Sequence, residues 1–92
     1  MNEIAELHGV ILFLTYEIYD YGGYHDITKR VEILNIDHFE ENIGVRGGHW
    51  GWSIKNKEGK ILAEFGRKHY QLFTEVKNLL IKLDIPIKEQ RV

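Results

Sequence analysis

"HWGWSIKNKEGKILAEFG", residues 49–66, decides the fold of this 92-residue chain. Trp50, Trp52 and Ile54 alternate with Gly51 and Ser53, which is the two-residue period of a strand. "NKEG" (Asn56 to Gly59) reads as a type I turn with glycine in the left-handed position. Ile61, Ala63 and Phe65 alternate back, and Gly66 ends the return. Pairing these strands puts the tryptophans and Ile54 on the same side as Ile61, Ala63 and Phe65. So wide an apolar surface needs a cover.

The cover lies just downstream. From Tyr70 to Leu83 the period changes: Leu72, Phe73, Val76, Leu79, Leu80 and Leu83 recur at the spacing of an amphipathic helix, with Glu75, Lys77, Asn78 and Lys82 on the other side. About 14 helical residues span roughly 21 Å, enough to lie across a small sheet. Asp84 and Pro86 stop the helix. The tail, residues 84–92, either adds an edge strand or hangs free. Trp52 is accordingly expected beneath the helix as core.

Upstream, "VILFLTYEIYD" (10–20) is rich in β-branched and aromatic residues. Leu12, Leu14, Tyr16 and Ile18 take one face; Ile11, Phe13, Thr15, Glu17 and Tyr19 take the other. "YGGY" (Tyr21 to Tyr24) marks a tight turn, and "ITKRVEILNI" (27–36) returns. "DHFEEN" (37–42) reads as one short helical turn, with Asp37 and Glu40 spaced as a capping box, or as an acidic loop. The expected fold is a single α+β domain over 1–92. Hairpins at about 10–36 and 43–66 form an antiparallel sheet of four strands, or five with the tail. One C-terminal helix, about 70–83, packs on one face and leaves the other partly free.

Composition narrows the function. A net charge of −2 argues against non-specific coating of duplex DNA or anionic membranes. The longest apolar run, "GVILFL", is far short of the roughly 20 residues that span a bilayer. The acidic start "MNEIAELHG" lacks the basic opening of a secretory signal, so a cytoplasmic location is expected. With no cysteine, disulfides, thiol catalysis and cysteine zinc sites are excluded.

No catalytic constellation stands out. His8, His25, His38, His49 and His69 sit singly in separate segments, without the helical spacing of a zinc site. Asp37, Glu40 and Glu41 beside Arg46 and His49 are the one set of neighbours in sequence that could support metal-dependent hydrolysis, and they follow no nuclease spacing. Ser53, the sole serine, is mid-strand without a nucleophile elbow. "RGGHWGW" (46–52) lacks the phosphate-loop spacing and no helix follows it. Its glycines read as a turn or bulge before a strand, with Gly51 admitting close approach from a neighbour.

The remaining candidates are binding residues. Tyr19, Tyr21 and Tyr24 gather at the first hairpin tip, and Arg46, His49 and Trp50 form a rim beside the second. Such tyrosines suit a protein interface. The sequence thus points to a small non-enzymatic protein-binding or regulatory module without cofactors, of the accessory or mobile-element kind, with homodimerisation through a free sheet face or edge. Nucleic-acid binding is the alternative. It requires Lys29, Arg30, Arg46, Lys55 and Lys57 to form one patch beside the aromatics. Metal-dependent hydrolysis is the third reading.

Overall fold

A computed structural model of the chain describes residues 3–44 and 48–91, with the side chains of His49 and Trp50 outside that description. The architecture is α+β. Strands β1 (Ile4–His8), β2 (Ile11–Asp20) and β3 (Gly23–Glu32) form one antiparallel sheet in the order β1-β2-β3. Strands β4 (His38–Ile43), β5 (His49–Lys55), β6 (Ile61–Gly66) and β7 (Ile87–Arg91) form a second, ordered β6-β5-β4-β7, and helix α1 spans Tyr70–Lys82.

The decisive hairpin forms, except that a register shift at Ile54/Lys55 sets Ile61 opposite Lys55 and leaves it exposed instead of on the apolar side expected for it. Gly59 has φ 83°, and its N–H donates to the Asn56 carbonyl at 3.0 Å. The Asn56 side-chain oxygen also accepts from the N–H groups of Glu58 and Lys60, so the turn closes on a single residue. Trp52 pairs with Phe65, and Ile54 with Ala63. Helix α1 covers that face and buries Leu72, Phe73, Val76 and Leu80. Trp52 stacks on Phe73 with centroids 4.4 Å apart and is 1% exposed.

The first hairpin also forms as expected. Leu12, Leu14 and Tyr16 point inward and are buried, and the tip closes where Asp20 pairs with Gly23. These residues, the Trp52 face and the helix meet in one continuous core.

The sheet arrangement differs from a single sheet built of two hairpins. The N-terminal segment is itself a strand: Gly9, at φ 63°, turns β1 back onto β2 through a two-residue loop, with His8 opposite Ile11. The expected helical turn or acidic loop at 37–42 is overturned as well, because that segment is β4, a central strand of the second sheet. Phe39 and Glu41 face the helix, paired with Ile54 and Trp52; His38 and Glu40 face away. Three partners, two of them from other elements, make acids tolerable in a central strand. Lys77 on the helix reaches Glu41 at 2.7 Å, while His38 and Lys55 hold Glu40. The tail does add an edge strand, β7, running parallel to β4 with Ile87 opposite Phe39.

Candidate functional site

The inner faces of both sheets are spent on the core. The outer face of the first sheet remains open, and it ends in the tyrosine-bearing turn. Tyr19 and Tyr24 are direct cross-strand partners on that face, their rings 4.9 Å apart, and are 67% and 70% exposed. Tyr21 at the tip is fully exposed. The turn that presents them is closed locally: the Gly22 N–H donates to the Asp20 carboxylate at 2.8 Å, and Gly23 has φ 92°. His25 sits 3.3 Å from the same carboxylate.

Next to the tyrosine pair, Glu17 lies directly opposite Asp26. Two carboxylates facing each other across a strand pair repel, so this arrangement costs stability. Further down, the hydroxyls of Thr15 and Thr28 are 3.1 Å apart, and the Arg30 guanidinium lies 5.6 Å from the Phe13 ring centroid. Glu6 and His8 complete this end at 2.9 Å from one another. The face is therefore aromatic at its tip, acidic beside it, and mixed at its base.

The other nominated residues separate. Arg46 lies outside the described residues, as do the side chains of His49 and Trp50. Their hairpin is closed by the Gly44 N–H donating to Gly48 O at 2.7 Å, and the β4–β5 register shifts at Asn42/Ile43. Gly51 has a steric reason: a Cβ there would meet the Phe65 carbonyl oxygen at 3.0 Å. Lys29 and Arg30 point to opposite faces of β3, and Lys55 is engaged by Glu40, so these cations do not share one surface.

Two largely buried charge clusters emerge, one of neighbours in sequence joined by Lys55 and one of residues from opposite ends of the chain. On the face of the second sheet away from the helix, His38 Nδ1 is 2.7 Å from Asp37, and Nε2 is 2.9 Å from Glu40. Ionised carboxylates only accept, so both bonds are made together when both ring nitrogens carry hydrogen. The bond from His38, aided by Lys55 and opposed by burial, holds the Glu40 carboxyl below its ordinary value. At the start of the helix, Glu3 accepts from His69 Nδ1 at 2.6 Å and from the Leu72 N–H at 3.2 Å, capping α1 from the other end of the chain. Nothing local in the sequence announces the Glu3–His69 pairing. Among the described residues no three His, Asp or Glu side chains converge as metal ligands. No helix among them is long and apolar enough to cross a membrane.

No protein-family model, characterised protein or solved structure matches the chain. What the fold and the site define is a small two-sheet α+β protein with one open, tyrosine-tipped sheet face.

Proposed function

We propose that this chain is a non-enzymatic protein-binding or regulatory module, cytoplasmic, that grips its partner with the outer face of the first sheet. The observation that carries the reading is the Tyr19–Tyr24 ring pair, held exposed beside the closed turn and next to Glu17 and Asp26, which face each other across the strands. Tyrosines give large contact area at low entropic cost, because each ring is fixed by two torsions. An uncompensated pair of acids on the same face is a local conflict that a folded chain has no structural reason to keep, and a cationic partner relieves it.

The same charges weigh against a second copy as the occupant. Face-to-face docking would bring Glu6, Glu17, Asp26 and Glu32 of both copies together with Arg30 alone to offset them. They weigh against nucleic acid for the same reason. The experiment is photo-crosslinking in the native host, with a photoreactive residue replacing Tyr21. A discrete protein adduct is expected, and it should vanish when Tyr19 and Tyr24 are both changed to Ser in a chain whose circular dichroism is unchanged. Adducts made only of nucleic acid, or only of the chain with itself, would overturn the reading.

A further inference from the structure

The rungs of the first sheet's outer face are not equivalent. From the tip inward, Tyr19 stands opposite Tyr24, Glu17 opposite Asp26 and Thr15 opposite Thr28. In the next rung Phe13 lies between Glu6 and Arg30, and in the last Ile11 lies between His8 and Glu32. Successive rungs on one face stand about 7 Å apart, two residues of strand.

Two of these rungs offer something to a partner. The Glu17–Asp26 rung holds two carboxylates and no cation, because the pairing of β1 stops at Ile4, opposite Thr15. Each other charged rung sets a cation or an imidazole against its acid: Arg30 against Glu6, and His8 against Glu32. Below the threonines the surface dips into a depression of about 290 Å³, with Ile4 and Phe13 as its apolar walls. Ile4 is 41% exposed there. The polar groups around the dip are engaged with one another, Glu6 with His8 at 2.9 Å and Thr15 with Thr28 at 3.1 Å. What the dip presents to an incoming group is therefore its apolar wall.

Resting on the binding role proposed above for this face, we infer that it reads an extended partner segment carrying an arginine and, two or four residues away on the same side, one apolar side chain. The guanidinium sits over the Glu17–Asp26 rung, where its planar fork can donate to both carboxylates. Its stem packs against the rings of Tyr19 and Tyr24. The apolar side chain fills the dip between Ile4 and Phe13. Spacing sets the match. The dip lies one to two rungs, about 7–14 Å, from the acids, and same-side residues of an extended chain repeat at the same interval of about 7 Å. The arginine is favoured twice over, because it relieves a repulsion as well as adding an attraction.

The test is selection of a displayed library of random dodecapeptides on the immobilised full chain, with the enriched peptides then titrated against the isotope-labelled chain. The expected pattern is a basic residue, arginine ahead of lysine, with an aliphatic or aromatic residue two or four positions away. Its binders should shift the amides of Phe13, Glu17 and Asp26. Replacing the peptide's arginine by citrulline, its neutral isostere, should weaken binding at least about tenfold, the ratio that one lost charge-assisted hydrogen bond supplies. Glu17→Gln combined with Asp26→Asn should weaken the arginine peptide by a similar factor and leave the citrulline peptide unchanged. These two changes remove a like-charge contact, so the melting temperature should not fall. Replacing the peptide's apolar residue by serine should also weaken binding, as should Ile4→Ser in the chain, while Glu58→Gln in the β5–β6 turn leaves it intact. No enriched pattern, equal binding of the citrulline peptide, or indifference to the apolar residue would overturn the inference and leave the docking face standing. Loss of the protein adduct at Tyr21, by contrast, counts against the face itself and takes the inference with it.

Discussion

Individual side chains divide this molecule into positions that hold the fold and positions that have space to spare. Trp52 belongs to the first kind, stacked on Phe73 and close to Phe65 at 5.8 Å. Trp52→Ala removes a fully buried aromatic from a core that cannot collapse around the loss, so unfolding should become easier by about 3–5 kcal/mol. Chemical denaturation measures it, and a change below 1 kcal/mol would mean that the ring does not anchor the core. Gly51 and Gly66, direct cross-strand partners, give an internal comparison. Gly51→Ala forces a methyl against the Phe65 carbonyl at 3.0 Å and should cost about 1–3 kcal/mol, the range for overpacking. Gly66→Ala, with open space at its Cβ, should stay within about 0.5 kcal/mol of the parent. Equal effects at the two sites would show that backbone freedom, and not the neighbouring carbonyl, explains Gly51.

Among the elements, the hairpin at 49–66, the inward face of β2 and the helix were legible because each announces itself within a few residues. Alternation, a glycine turn or a 3.6-residue stripe needs no distant partner. β4 was not legible. "HFEENI" reads as acidic and loop-like until Lys77, Lys55 and His38 are in place, and two of those three come from other elements. β1 left one local sign, Gly9, with Ala5 and Leu7 alternating as Leu12 and Leu14 do. Of the site, the tyrosine tip could be read directly, whereas the Glu3–His69 bond joins residues 66 apart in sequence. That bond makes an element-scale prediction. Glu3→Ala strips the helix N-terminus of its cap and leaves His69 Nδ1 buried without an acceptor, a loss of about 1–3 kcal/mol. It should be accompanied by faster amide exchange at Leu72, and unchanged exchange there would mean that the cap is not made. At the other end of α1, Asp84 has φ 60°, the Asp84 N–H donates to Ile81 O at 3.1 Å, and the Ile85 N–H to Leu80 O at 2.9 Å. This is the glycine-favouring helix stop, occupied by aspartate. Asp84→Ala should cost about 1 kcal/mol of left-handed strain, and Asp84→Gly should be no less stable than the parent.

At the scale of the whole molecule, two sheets and a helix share a core threaded by buried carboxylates, so acid should be a specific weakness. Glu40 carries the argument, because the His38 hydrogen bond holds its folded-state carboxyl below the ordinary value, with Lys55 assisting. A depressed folded value means that the unfolded chain binds the proton more readily. Stability therefore rises with pH across this range. The contribution is fully present above the unfolded glutamate value, about 4.3, and is lost as the pH falls from there through the lower folded value. Urea midpoints between pH 7 and pH 3 should decline on the acid side. Glu40→Gln should start lower at pH 7, because His38 and Lys55 lose the charge they converge on, and it should then decline less steeply than the parent. The difference between the two slopes isolates Glu40 from every other carboxylate in the chain. Parallel slopes would mean that the His38–Glu40 bond does not persist in solution, and β4 would then need another reason to lie at the centre of its sheet.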